Sequence, residues 1–109
     1  MTESVARPQS IPAAALSEAL SGHDTLLVEF YTEGCGICAS MEPVLNNVAR
    51  ETGVETVLVN PREEPGLIDE HQITSVPTLA LFRDGTEVAR LAEGFVGGED
   101  LAAFVREHR

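Results

Sequence analysis

The stretch TLLVEFYTEGCGIC, residues 25–38, sets a buried strand against the start of a helix. Thr25 to Thr32 is mostly apolar and rich in strand formers, which reads as a central strand with one acid, Glu29, inside it. A Glu33-Gly34 turn follows. From Gly36 to Thr52 the residues Ile37, Met41, Val44, Leu45 and Val48 recur at spacings that line one helical face, with Gly53 as the stop. The two cysteines, Cys35 and Cys38, fall where strand turns into helix. There the first-turn N–H groups and the helix dipole stabilise a thiolate at Cys35. Lowering a thiol pKa from about 8.5 to about 7 takes only about 2 kcal/mol and raises the thiolate fraction at neutral pH to about half. Cys38, one helical turn on, reaches the Cys35 sulfur. Cys35 is therefore read as the nucleophile and Cys38 as the resolving thiol.

Working outward, residues 1–9 are polar and aperiodic and are expected to be a disordered tail, with one domain over 10–109. Pro12 followed by an Ala- and Leu-rich run to Leu20 predicts a helix closed by Gly22. Pro43 should kink the long helix, because it lacks a donor and crowds the preceding turn. Val54 to Asn60 predicts a second strand, and Leu67 to His71 a short helix. Thr78–Arg83 and Thr86–Ala92 flank Asp84-Gly85, a strong two-residue hairpin signal. Glu99 to His108 closes the chain as a helix with Leu101, Phe104 and Val105 inward. Helices alternating with strands before a final hairpin imply an α/β domain, a mixed sheet covered on both faces.

Composition narrows the function. The chain has 109 residues, long enough for a single core, and its only two cysteines are separated by two residues. A disulfide closing so short a loop contributes about 2 kcal/mol in the chain-entropy model, against about 3 for a 15-residue loop, so chemistry explains the pair better than stability does. Eighteen acidic side chains face seven basic ones, all arginine, giving a net charge of −11. Such a surface repels phosphate backbones and anionic membranes, so neither nucleic acid nor a membrane is expected as a partner. Arginine-only basicity fits a GC-rich genome; joined to acid excess it favours adaptation to high salt, where counterions screen the self-repulsion. No apolar run approaches the length of about 20 residues that spans a bilayer, and MTESVARPQS has no apolar signal core. A cytoplasmic location is expected, since a reducing compartment keeps a catalytic thiol pair free between turnovers.

At this point the sequence resembles the thioredoxin family. LVEFYTEGCGIC is similar to its strand and active-site turn, Pro43 to its helix-kinking proline, and SVPTLALFRDG to its cis-proline segment and hairpin. The resemblance implies a thioredoxin fold, a central mixed β-sheet with helices on both faces. It implies a cis bond between Val76 and Pro77 facing the cysteines, with the Val76 backbone pairing with substrate in strand-like fashion. It also implies that Gly34, Gly36, Ile37, Gly94 and Phe95 border the substrate groove. The family usually has Trp before the first cysteine, Pro after the intervening Gly, and a buried Asp with a Lys on the neighbouring strand. Here these positions hold Gly34, Ile37, Glu29 and Leu58, or Thr56 if the register slips by two. In the family that acid exchanges a proton with the resolving thiol; Glu29, without a cation, should have a raised pKa suited to the same work.

The expected activity is reduction or exchange of protein disulfides by a monomer, with an external flavin-dependent reductase or another dithiol as reductant. There is no Gly-x-Gly-x-x-Gly, and no bound cofactor is expected. Two other functions compete with this one. A groove-binding module with incidental redox activity fits the missing aromatic before Cys35. A metal-binding dithiol is weaker, because structural zinc takes four ligands and His23, His71 and His108 lie far from the pair in sequence. His71 and His108 are expected as solvated helix residues, Glu63 and Glu64 as solvated loop charges, and Arg62, Arg83 and Arg90 as surface counter-charges. Phe30 and Met41 are expected in the core.

Overall fold

The computed structural model describes residues 7–109. Five strands form one sheet: β1 (Gln9–Ser10), β2 (Thr25–Phe30), β3 (Glu55–Val59), β4 (Thr78–Arg83) and β5 (Thr86–Leu91), in the order β1-β3-β2-β4-β5. The β1-β3 and β3-β2 pairs are parallel, and β2-β4 and β4-β5 antiparallel. Helices α1 (Leu16–Ser21), α2 (Gly36–Thr52), α3 (Gly66–Glu70) and α4 (Gly98–His108) cover the sheet, which is the expected α/β architecture. Among the described residues no helix is long and apolar enough to cross a membrane.

Strand β2 divides the core by its two-residue period. Leu26, Val28 and Phe30 point to the face lined by Leu16 of α1, Ile73 and the partly buried Leu67 and Ile68 of α3. Leu27 points to the opposite face, where Met41, Leu45 and Val48 of α2 meet Leu101, Phe104 and Val105 of α4. Glu29 follows Leu27 at the same period and therefore lies on the α2 side. The Asp84-Gly85 turn has positive φ at both residues, 52° and 80°, as a two-residue hairpin of this kind requires. Val88 is the extra residue where the register shifts opposite Leu81 and Phe82.

Several expectations change. Gln9, assigned to the tail by its polarity, is in β1 and pairs with Val57; residues 1–6 of that tail lie outside the described residues. The first helix opens as a 3-10 turn over Ala13–Ala15 before α1. Glu63 is not merely solvated: its carboxylate accepts the Ala13 N–H at 3.0 Å, supplying a first-turn acceptor that Pro12 has no side chain to provide. His71 is not a solvated helix residue, since its side chain is 12 % exposed and its ring lies 5.6 Å from Phe30 and 5.9 Å from Phe82. Arg90 is more than a counter-charge. It holds the Glu87 carboxylate with two short hydrogen bonds and donates to the carbonyls of His71 and Gln72, tying β5 to the end of α3.

Candidate active site

Tyr31 ends the sheet by donating its N–H to the Val59 carbonyl at 3.0 Å, and Gly34 then takes φ 78°, a left-handed conformation that turns the chain back towards α2. Cys35 is the N-cap of α2. Its sulfur accepts the Cys38 N–H at 3.1 Å, so one of the helix's unpaired first-turn donors is satisfied by sulfur where Ser or Asp would ordinarily serve. The two cysteines are joined as a disulfide with a Cα separation of 5.2 Å. Cys35 is partly exposed, whereas Cys38 is buried at 4 %. An incoming group therefore meets Cys35 first.

Glu29 is fully buried, and neither carboxyl oxygen has a hydrogen-bond partner. Its neighbours across the sheet are Leu58 on β3 and Leu79 on β4, so the register places Leu58, not Thr56, beside it. Burial, followed by the charge of Glu42, pushes its pKa up to about 8. A cavity of about 210 Å³ is lined by Glu29, Gly34, Cys35, Cys38, Glu33 and Glu42, together with Tyr31, Thr32 and Ala39. Sequence reasoning missed Glu42. Its signal was there, because it follows Cys38 by four residues on a helix and so shares its face.

The other expected site residues lie around this centre. The Val76-Pro77 bond is cis and stands immediately before Thr78, which pairs with Phe30 at the end of β2 that leads into the cysteine turn. Val76 borders a separate hollow of about 180 Å³ with Thr32, a residue that also lines the cysteine cavity. Gly94 takes φ 91°, and two residues later the Val96 N–H donates to the Met41 sulfur at 3.4 Å, which fastens the Gly94-Phe95 loop to α2 just beyond Cys38. Phe95 and Ile37 are 55 % and 49 % exposed, two of the three large apolar side chains with such exposure among the described residues. Gly36 faces open space. No group of three or more His, Cys, Asp or Glu among the described residues is placed to hold a metal ion.

The chain is similar to known proteins. The Thioredoxin family model matches residues 9–107. The thioredoxin of Chlamydia pneumoniae is 37 % identical over 84 residues, covering 76 % of this chain and 81 % of its own. That of Mycolicibacterium smegmatis is 34 % identical over 95 residues, covering 84 % and 81 %. Among solved structures, a point mutant of the thioredoxin from Halobacterium salinarum NRC-1 superposes with a TM-score of 0.87 at 28 % identity, over 99 % of this chain and 96 % of that one. With a family match over nearly the whole chain, and within it a cysteine pair that caps a helix beside a buried acid, the chain belongs to the thioredoxin family of thiol-disulfide oxidoreductases.

Proposed function

We propose that this chain reduces or exchanges protein disulfides through the Cys35-Gly36-Ile37-Cys38 dithiol in a reducing, cytoplasmic setting, and that it needs no bound cofactor. The observation that carries the reading is the asymmetry of the pair, Cys35 accessible at the helix N-cap and Cys38 buried behind it. Cys35 thiolate attacks a substrate disulfide to give a mixed disulfide; Cys38 then attacks the Cys35 sulfur and releases the reduced substrate. Glu29 takes the Cys38 proton in that second step. An external reductase or dithiol resets the enzyme by the reverse exchange. Ile37 and Phe95 offer apolar contact to an extended substrate segment, Gly34, Gly36 and Gly94 leave it room, and the backbone at Val76 beside Pro77 supplies strand-like hydrogen bonds.

The test is reduction of a generic protein disulfide by the purified dithiol form. Cys35→Ser should abolish turnover, and Cys38→Ser should accumulate a mixed disulfide detectable by mass spectrometry. A Cys35→Ser variant as active as the wild type rejects the reading. The exposure of Ile37 and Phe95 favours one second reading, a groove that binds partners with redox turnover incidental. A chain with both cysteines changed to serine keeps its partner in that case and loses it if capture is covalent.

A further inference from the structure

We propose that Glu42 is the outer station of the proton path to the buried cysteine, passing between Glu29 and solvent the proton that Glu29 exchanges with Cys38. The inference deepens the proposed reaction and rests on the role assigned there to Glu29. Glu29 is sealed in. It has no exposed surface and no hydrogen-bond partner for either oxygen, and leucines flank it on both neighbouring strands. A proton taken from Cys38 therefore needs a second acceptor before the site can turn over again.

The cavity beside Glu29 supplies the way out. It also reaches Cys38 and Glu42, and at about 210 Å³, with three glutamates in its lining, it has room for bridging water. Glu42 is exposed and stands one helical turn beyond Cys38 on the same face of α2. It also borders a second hollow of about 120 Å³ with Ser10 and Asn46, and its own exposure puts it within reach of bulk solvent while it lines the cavity that holds Glu29. The charged groups lining the Glu29 cavity are Glu33 and Glu42; Tyr31 and the two cysteines complete its titratable side chains. Glu33 lies in the turn ahead of Cys35, and the charge that acts on Glu29 is that of Glu42.

In the mixed disulfide, Glu29 carboxylate accepts the Cys38 thiol proton, the Cys38 thiolate forms a bond to the Cys35 sulfur, and the Cys35–substrate bond breaks to release the substrate thiolate. Glu29 carboxylic acid then passes its proton through water to Glu42 carboxylate, which loses it to solvent. When an outside dithiol opens the Cys35–Cys38 bond, a proton from solvent travels inward by the same groups, through Glu42 and Glu29, to the departing Cys38 thiolate.

Release from a preformed mixed disulfide, followed against pH, tests the relay in wild type, Glu42→Gln, Glu33→Gln and Glu29→Gln. Glu42→Gln is expected to slow release about tenfold at neutral pH with the initial attack by Cys35 unchanged. Its pH midpoint should fall, since a like charge has gone, and added formate should restore the rate by replacing the missing carboxylate. Glu33→Gln should not reproduce the slow release with formate rescue expected of Glu42→Gln. A Glu42→Gln profile identical to wild type, while Glu29→Gln is slow, overturns the relay and leaves the Glu29 reading standing. A shifted midpoint without formate rescue, or a defect found in Glu33→Gln and not in Glu42→Gln, also overturns it. Wild-type release in Glu29→Gln rejects the underlying reading itself.

Discussion

A carboxylic acid with no hydrogen-bond partner in an apolar layer is the most informative residue of this chain, because its protonation links the fold to pH. Glu29 titrates near 8 in the folded chain against an ordinary value of 4.5. Between those values the folded state holds a proton that the unfolded state has released, so stability falls as pH rises through that window and levels off above it. The fall is at most about 1.4 kcal/mol per pH unit. Urea unfolding of the disulfide form at pH 5 and pH 8 should show the decline in wild type, and Glu29→Gln should flatten it. Equal slopes in the two proteins would mean that Glu29 keeps its proton no better folded than unfolded. The position of Glu29 within an apolar strand, and through Leu58 its want of a cation, were legible in the sequence and its family resemblance. That neither oxygen has a hydrogen-bond partner was not, since that depends on every side chain packed around it, Leu79 of β4 among them.

Helix α2 carries the chemistry at its first turn and the packing along the rest of its length. Its limits, Gly36–Thr52, are those the apolar spacing and Gly53 imply, and Gly53 ends it with φ 77°. Pro43 lies within it as expected. Ile37 occupies the second helical position, where an N–H has no partner inside the helix and proline is tolerated. Ile37→Pro should therefore leave the fold intact while removing one donor near the Cys35 thiolate. With a helix N-terminus contributing about 0.3–1 kcal/mol and 30 mV equal to about 1.4 kcal/mol, the couple should become more reducing by on the order of 10–20 mV. Equilibration with a glutathione buffer measures this, and an unchanged potential would mean that the Ile37 N–H does not tune the couple. Short elements were harder to foresee. Two residues cannot show alternation, so β1 is recognisable only once β3 offers an edge for Gln9 and Ser10 to pair with.

Across the molecule as a whole, charge is the most unusual property. Eighteen carboxylates and seven guanidinium groups leave most acids without a cation. Among the described residues the arginine ion pairs are Arg90 with Glu87 and Arg106 with Glu51, the second of these half-exposed and so worth little. Self-repulsion on this scale weakens the compact state in dilute buffer and is screened within about 10 Å at 0.1 M salt. If the surface is a salt adaptation, the thermal midpoint should rise from dilute buffer to molar potassium chloride. Each 1 kcal/mol gained corresponds to about 4–8 °C in a domain of this size. A midpoint independent of salt would leave codon usage as the explanation for the missing lysine.

Local sequence was enough for the order of the main elements, the hairpin at Asp84-Gly85, the helix that begins at the cysteines and the thiol chemistry of the pair. Each of these is written in local periodicity, turn residues or a motif of four adjacent positions. Which residues far apart in the chain share an environment came from folding in three dimensions. It brought Glu63 to the amide of Ala13, seated His71 between Phe30 and Phe82, set Arg90 on the end of α3, and opened one cavity to Glu29, Cys38 and Glu42. The reason is physical: hydrogen-bond satisfaction and desolvation depend on neighbours supplied by other strands and helices, and no single segment encodes who those neighbours are.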